Sequence, residues 1–421
     1  TLLWRESPRV YCSRYVPVLV LVATLCALVA IPFKVISYGY LPSDDALRHA
    51  GKVLSSRTWD QILVVADTVH DVHGGWHAFL SGLHRFLHLD GDGLVAASIV
   101  VLFLCWAVPP LFLHRRPESW VTAMAVGYVA VGPGHRILMG RPFLAYLAVL
   151  TPVLLLRKRL NAEKAPWGTM VALTLAMAVS MWWRMTWFLY LFPIATFFLA
   201  GLWRAGLRLI GIFVLSVLIA TAATGQPLLP YHAALQILDV MTSAQYTSFL
   251  VIELQPFQGE MSVGFLIAML LVAARLRGKP LLPLLHSPVF YIFCISWLLG
   301  YSSRRWWIDF GVPAALVFLS EQADDLFIDP KLVPWFSLHR GAIALFMCGM
   351  VYLGYTNNGA GRYTQSLRYE FIDMEDPAIQ EGLPGTDGII YSTDMSVFYQ
   401  TFFKYPNAHW RYMLGFEAAL M

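Results

Sequence analysis

The sequence contains little charge. Only 13% of its 421 residues are Asp, Glu, Lys or Arg, whereas soluble domains carry about 25%. Hydrophobic residues make up 58% of the chain, and the formal net charge is only +4. This composition excludes an ordinary soluble domain and predicts a polytopic membrane protein. The small net charge gives no indication of nucleic-acid binding.

Several common chemical motifs are also absent. The sequence has no Gly-Lys-Ser/Thr phosphate loop, no Gly-x-Gly-x-x-Gly fingerprint and no Gly-x-Ser-x-Gly elbow. Nothing therefore indicates a cytosolic nucleotide site. The five cysteines form no Cys-x-x-Cys pair, and we interpret them as small packing residues. Few charges fall inside the apolar runs, which argues against an ion pump or a proton relay.

Long apolar runs dominate the chain. A membrane-spanning helix needs about 20 predominantly apolar residues. By this criterion we predict eleven spans, at residues 16–36, 94–113, 119–134, 142–156, 167–182, 186–202, 207–223, 262–275, 286–301, 307–320 and 340–355. The first run is too long for a signal peptide and lacks a small-residue cleavage site. The expected fold class is an all-α polytopic membrane protein with about eleven transmembrane helices.

Basic residues predict how these helices are oriented. Short loops rich in Lys and Arg stay on the cytoplasmic side of a membrane. Five basic segments fall on the same side of the predicted spans, at residues 5–14, 114–116, 157–159, 204–208 and 275–279. We therefore expect a multi-pass inner-membrane protein with a cytoplasmic N-terminus. The loop that contains Asp44 and Asp45, and the C-terminus, are then periplasmic or otherwise extracytoplasmic.

Three predicted outer segments are longer than turns, at residues 37–93, 224–261 and from 356 onward. In the first, residues 46–69 have the pattern of an amphipathic helix at the membrane surface. In the last, Gly388–Tyr391 predicts one strand. We expect a transmembrane domain over residues 1–355 and a small outer α/β segment over 356–421, to which a protein partner can dock. The pattern stops abruptly at Met421, as expected if the native domain is longer.

Asp44 and Asp45 follow the first apolar run, and two interpretations of this pair are open. Ser43 is a good N-cap and acids are favoured in a first helical turn, so the pair can simply begin a helix. Alternatively, one carboxylate is a general base that takes a proton from an acceptor hydroxyl. Adjacent helical residues point about 100° apart, so the other acid would bind a cation, orient its neighbour or cap the helix.

Five arginines map to the outer ends of predicted helices, where positive charge is not expected. Snorkelling to lipid headgroups explains any one of them. Together they favour a phosphate clamp, because a guanidinium binds phosphate bidentately and neutralises charge on a phosphate leaving group. The candidates are Arg141 and Arg305, followed by Arg304, Arg136 and Arg184.

Histidines and aromatic residues supply further candidates. His73 and His77 have the i, i+4 spacing of a helical metal pair. However, we expect Gly74–Gly75 to break the helix between them, so we predict no metal site and treat a divalent metal as the disfavoured alternative. The Trp-rich patches are typical of an interfacial aromatic belt, with stacking on a sugar as the alternative. The candidates for a substrate cavity are His49, His73, His77, Trp183, Trp306 and Glu253.

The first outer loop resembles that of the GT-C integral-membrane glycosyltransferases. The resemblance lies in the early acid pair, the amphipathic stretch and the segment His73-Gly74-Gly75-Trp76-His77-Ala78-Phe79-Leu80 before the second span. It is clearest over residues 16–160. Gly74 departs from it, since proline is usual at this position, and residues 134–141 contain no acid, where several relatives place a metal-binding or catalytic one.

The resemblance implies transfer of a sugar from a polyprenyl-phosphate donor, a membrane lipid, to an acceptor on the outer face. Asp44 would be the catalytic base, Asp45 would assist, and an outer arginine would hold the lipid phosphate. The missing acid favours a metal-independent enzyme that needs no cofactor, and we expect the transfer to proceed with inversion. The sugar and the acceptor are not specified by the sequence.

Two other functions stay open. One is a non-catalytic membrane scaffold or accessory subunit that keeps the GT-C shape and docks a partner through its outer tail. The other is a lipid or solute transporter. A transporter is less favoured, because broken mid-membrane helices in two matching halves are not evident.

Overall fold

The computed structural model describes residues 8–37, 44–64, 70–131, 135–242, 256, 261–329, 333–356, 376–385, 387–392 and 395–413. This part of the chain is mostly helical and contains one two-stranded sheet. Its first helices are α1 (Pro8–Ile36), α2 (Asp45–Leu54), α3 (Trp59–Ile62), α4 (Gly74–Leu87), α5 (Gly91–Ala107), α6 (Pro109–Leu113), α7 (Glu118–Val131), α8 (Leu144–Leu155) and α9 (Arg157–Asn161).

The described part of the chain continues through twelve further α-helices and two strands. These are α10 (Trp167–Trp183), α11 (Leu191–Leu199), α12 (Trp203–Thr224), α13 (Leu229–Thr242), α14 (Met261–Leu276), α15 (Leu282–Leu285), α16 (Pro288–Gly300), α17 (Arg304–Trp306), α18 (Val312–Phe327), α19 (Val333–Thr356), α20 (Pro377–Gly382), β1 (Ile389–Tyr391), α21 (Met395–Lys404) and β2 (Arg411–Met413). Short 3-10 turns lie at His135–Leu138 and Trp187–Tyr190, and a π-helical turn lies at Trp307–Gly311.

Local sequence explains several helix ends. The Asp90 side chain accepts a hydrogen bond from the Gly93 amide and begins α5. Ser287 caps α16 in the same way, and Pro288 follows at the first helical position, where its missing N–H is not needed. Gly225, at a φ of +66°, ends α12 in the left-handed conformation that glycine favours.

A helix occupies each of the eleven predicted runs. Among the described residues, three segments are long and apolar enough to cross a membrane: Tyr15–Ile36, Gly91–Leu113 and Trp203–Thr224. Five other apolar helical segments have only 10–17 residues, which corresponds to about 15–26 Å against a hydrocarbon core of about 30 Å. The structure is therefore that of a helical protein compatible with a membrane. The count of eleven spans and their orientation stay predictions.

The prediction of one amphipathic helix over residues 46–69 is corrected. Helix α2 ends at Leu54, and the short α3 follows after a loop. The cause is tertiary: the Ser55 hydroxyl donates to the carbonyl of Pro406, and Arg57 donates to the carbonyls of Ala408 and Trp410. These contacts fix residues 55–58 outside a helix. Residues 65–69 lie outside the described residues.

The C-terminal segment packs on this loop and on α2. Strands β1 and β2 pair in parallel, which confirms the predicted strand near Gly388–Tyr391, and Leu63 adds an isolated bridge to Tyr412. A small apolar core fills the space beneath them, formed by Trp59, Ile62, Leu63, Phe398, Phe402 and Tyr412. Helix α21 therefore lies directly against α2. The division into domains at residue 355 stays a prediction.

Phe402 is expected to hold the C-terminal segment in place. Its side chain is fully buried, stacks on Phe398 and contacts α2 so closely that a Cβ on Gly51 would lie 3.1 Å from the Phe402 ring. Phe402→Ala should lower the free energy of unfolding by about 3–5 kcal/mol, which is a large loss for so small a core. We expect faster limited proteolysis within residues 376–413. Tyr391→Ala, at a largely exposed side chain, is the control, and equal cleavage rates in the two variants would contradict this role.

Candidate functional site

Asp44 and Arg141 form a buried ion pair at the start of α2. Arg141 donates from Nε to Asp44 Oδ1 at 2.8 Å and from Nη2 to Oδ2 at 2.9 Å. Asp44 Oδ1 also accepts from the Asp45 backbone N–H at 2.7 Å. Asp44 is therefore the N-cap of α2, the position that the sequence assigned to Ser43, which lies outside the described residues. Both carboxylate oxygens of Asp44 are engaged in a bidentate, charge-assisted contact.

Gly140 directs Arg141 towards Asp44. Its φ of +64° is unfavourable for other residues. A Cβ at this position would also lie 3.0 Å from the Ser98 Cβ and 3.1 Å from the Ala46 Cβ. The loop after the His135–Leu138 turn can therefore approach α2 and α5 closely. The sequence placed Arg141 at a phosphate, whereas the structure places its guanidinium on Asp44.

Asp45 is more accessible than Asp44. Its side chain is 19% exposed, compared with 1% for that of Asp44. Oδ1 accepts from Arg48 Nε at 3.2 Å and from the Tyr399 hydroxyl at 2.9 Å, while Oδ2 lies 4.0 Å from Arg141 Nε. Burial raises the pKa of Asp45, but Arg48 and Arg141 outweigh it and hold that pKa well below its ordinary value. Asp45 is therefore an ionised carboxylate with one oxygen outside direct hydrogen bonding to Arg141.

Arg184 and Arg136 approach the site from other elements. Arg184 directly follows α10, and the two guanidiniums lie over the Phe143 ring, at 5.8 Å for Arg184 and 4.8 Å for Arg136. Arg136 Nη1 donates to Asp309 Oδ1 at 2.6 Å. Asp309 lies in the π-helical turn Trp307–Gly311 and is buried. The loop containing Arg136 is thus tied to the start of α18 by a second buried ion pair.

Four other charges lie near Arg184. Arg305, Asp45, Arg136 and Arg48 are all close enough to interact electrostatically with its guanidinium. Arg304 lies beside Arg305 in α17. We refer to the arginine cluster as the set Arg48, Arg136, Arg141, Arg184 and Arg305. The structure therefore brings four of the five predicted arginines to the acid pair or to one another.

The histidines form a hydrogen-bonded chain rather than the predicted interrupted pair. His49 Nδ1 lies 2.9 Å from His77 Nε2, and His77 Nδ1 lies 2.7 Å from Asp71 Oδ2. His73 packs on His49, with ring centroids 4.8 Å apart. No group of three or more His, Cys, Asp or Glu side chains within the described part of the chain is arranged to hold a metal ion.

Gly74 and Gly75 open α4 and do not break a helix, so that expectation was wrong. His73 is the N-cap, and the two glycines form the first turn. Gly75 is required by packing, because a Cβ there would lie 2.2 Å from the Trp182 carbonyl oxygen. The close approach of α4 to α10 brings His77 and Arg184 to the same region.

The aromatic candidates are packed into the protein. Trp183 is buried and contacts Trp76 edge-on, with ring centroids 4.8 Å apart. Trp306 stacks on Phe310 with centroids 5.4 Å apart. Stacking on a sugar stays a prediction for both residues. Glu253 lies outside the described residues.

Three side-chain nitrogens around Asp45 lack hydrogen-bond partners. Arg48 Nη1, His49 Nε2 and Arg184 Nε are buried and have no partner within the described part of the chain. All three residues lie near the Asp45 carboxyl. Buried polar groups are normally paired, so each exception needs an explanation. The arrangement can therefore accept an anionic ligand beside an ionised carboxylate.

Sequence reasoning missed Tyr399, Asp309 and Asp71. Tyr399 lies 354 positions from Asp45, and no local pattern indicates that contact. Asp309 had a signal, because it is an acid within an otherwise apolar run. Asp71 lies two residues before the His73–Leu80 segment and precedes His77 by six positions.

Comparison with known proteins gives no further assignment. No known protein family matches this chain, and no curated protein is detectably similar to it.

Proposed function

We propose that the protein is a membrane glycosyltransferase. It would move a sugar from a polyprenyl-phosphate donor to an acceptor hydroxyl on the outer face, with inversion and without a metal. The observation that carries the proposal is the meeting of a partly exposed, ionised Asp45 with buried nitrogens of Arg48 and Arg184 that have no partner among the described residues. A base beside an anion site is what transfer from a lipid phosphate requires.

The two acids have different roles in this proposal. Asp44 holds Arg141, because both of its carboxylate oxygens accept hydrogen bonds from that guanidinium. It also caps the start of α2. Asp45 is the general base, because its Oδ2 is 4.0 Å from Arg141 Nε and its side chain reaches the surface of the site. This assignment reverses the one implied by the GT-C resemblance, in which Asp44 is the base and Asp45 assists. A bound phosphate anion would offset the nearby arginines and raise the pKa of Asp45 towards the range that a base needs.

The reaction would be a single displacement. The acceptor oxygen attacks the anomeric carbon of the sugar while its proton passes to Asp45. The bond between that carbon and the phosphate oxygen breaks, and the polyprenyl phosphate leaves with the bonding electrons. Attack from the face opposite the leaving group inverts the anomeric configuration.

The arginine cluster suits this leaving group. Its five guanidiniums lie among three carboxylates, those of Asp44, Asp45 and Asp309, which leaves two more positive than negative charges in this set. A phosphate monoester carries about −1.5 to −2 at neutral pH. The set therefore matches the charge that develops as the lipid phosphate departs, and this is the stage at which stabilisation accelerates a reaction.

Polyprenyl phosphate binding tests the anion site. The wild-type protein in detergent should bind undecaprenyl phosphate more tightly than undecaprenol, which lacks the phosphate. Arg184→Gln and Arg305→Gln should each weaken phosphate binding about 10- to 100-fold, the value of one or two charged hydrogen bonds. Arg159→Gln is the matched control, because this arginine is exposed on α9. Equal binding of both lipids by the wild type would contradict the proposed function.

A further inference from the structure

Asp71, His77 and His49 form a continuous hydrogen-bonded chain beside the acid pair. The chain joins Asp71 Oδ2 to His77 Nδ1 at 2.7 Å and His77 Nε2 to His49 Nδ1 at 2.9 Å. His49 and His77 are buried. The chain ends at His49 Nε2, which is buried and has no hydrogen-bond partner in the described part of the protein.

The positions of the protons in this chain follow from Asp71. Asp71 Oδ1 accepts from the His73 backbone N–H at 3.0 Å and Oδ2 lies 2.7 Å from His77 Nδ1, and a carboxylate only accepts. In its neutral form, His77 therefore carries its proton on Nδ1, which leaves Nε2 as an acceptor. His49 must then donate from Nδ1, and its own Nε2 carries a lone pair. Burial, followed by Arg48, lowers the pKa of His49 and keeps the ring neutral.

The free lone pair specifies the chemistry of its partner. Leaving a buried acceptor without a donor is unfavourable, so its simplest explanation is a ligand that donates a hydrogen bond. The other unpartnered nitrogens near Asp45, Arg48 Nη1 and Arg184 Nε, are donors that attract anionic oxygens. A ligand with a hydroxyl group close to a phosphate satisfies all three nitrogens. A sugar attached to a phosphate has this arrangement.

We propose that His49 Nε2 accepts a hydrogen bond from a hydroxyl of the transferred sugar, and that Asp71 is the positioning residue that fixes His49 in the accepting tautomer. The identity of the ligand rests on the proposed function, whereas the tautomer does not. His49 would thus make the site select a glycosylated lipid phosphate over the bare lipid phosphate.

Asp71→Asn should reverse the chain without contacting the ligand. Asp71 Oδ1 accepts from the His73 backbone N–H at 3.0 Å, so the amide oxygen of asparagine must occupy this position. The amide nitrogen then faces His77 Nδ1 and donates to it. His77 becomes a donor at Nε2, His49 accepts at Nδ1, and His49 Nε2 gains a proton. The acceptor for the sugar hydroxyl becomes a donor.

The relative affinity for a glycosylated and a bare lipid phosphate measures the effect of this proton shift. Wild-type protein should bind at least one of undecaprenyl-phosphate glucose, mannose or galactose about tenfold more tightly than undecaprenyl phosphate, the value of one such hydrogen bond. Asp71→Asn should lose this preference but still bind undecaprenyl phosphate. Asp60→Asn, at an exposed acid of the same outer segment, should keep it. His49→Gln can still donate to His77 and accept a hydroxyl, so it should retain much of the preference that His49→Leu loses.

Nitrogen-15 NMR of the full chain, labelled on its twelve histidines, tests the tautomer without any ligand. The His49 signals are identified by their loss in His49→Gln. We expect an unprotonated Nε2 in the wild type and a protonated Nε2 in Asp71→Asn. A protonated Nε2 in the wild type, or an undiminished glycosyl preference in His49→Leu, would overturn the inference. Failure of the wild type to bind any of these lipids would instead refute the proposed function, and the NMR result would still decide the tautomer.

Discussion

Asp44→Asn is expected to lower the free energy of unfolding by about 3–5 kcal/mol, because it leaves the buried Arg141 guanidinium without its charged partner. Asparagine can still cap α2, so the loss of stability measures the contribution of the ion pair and not that of the helix cap. Thermal unfolding in detergent, followed by tryptophan fluorescence, should show a clearly lower midpoint than that of the wild type. The nearby Asp45 carboxylate, at 4.0 Å from Arg141 Nε, places the expected effect at the lower end of this range.

The double variant Asp44→Asn/Arg141→Gln provides the control. Removing both charges avoids an uncompensated buried cation, so it should recover part of the lost stability. Melting of the single variant at the wild-type temperature would contradict a structural role for Asp44.

Asp45→Asn is expected to reduce sugar transfer about 100- to 10,000-fold, the usual contribution of a general base. It should lower stability less than Asp44→Asn does, because asparagine keeps an oxygen for Arg48 and Tyr399 and the side chain is partly exposed. The measurement is incorporation of labelled sugar from undecaprenyl-phosphate hexoses into membranes of cells that produce each variant at equal levels.

The pair of acid variants separates the two possible assignments. Asp60→Asn should transfer at the wild-type rate, since its side chain is exposed and outside the site. Wild-type transfer by Asp45→Asn, together with loss of transfer by a folded Asp44→Asn, would restore Asp44 as the base.

The helices were predictable because each depends on a local apolar run. The apolar runs did not establish the number of membrane spans, because segments such as Leu144–Leu155 contain only 12 residues, about 18 Å of helix. The amphipathic stretch at 46–69 was misjudged for a different reason. Its path is set by contacts of Ser55 and Arg57 with the C-terminal segment, which local periodicity cannot reveal.

The site was partly predictable, because charge in a nearly uncharged chain is conspicuous. Asp44, Asp45, Arg141 and Arg184 were chosen on that basis, and the structure brings them together. Their pairing was not predictable, since the contact of Arg141 with Asp44 joins residues 97 positions apart. The same limit applies to Tyr399, whose hydroxyl reaches Asp45 from the last part of the chain.

The position of a bound lipid phosphate tests the central claim most directly. Electron cryo-microscopy of the wild-type protein in lipid nanodiscs with undecaprenyl phosphate would locate the phosphate group. We predict density within hydrogen-bonding distance, about 3 Å, of Arg184 and on the side of that guanidinium that faces Asp45. A phosphate bound only at a site remote from both Asp45 and Arg184 would contradict a transferase site at the start of α2.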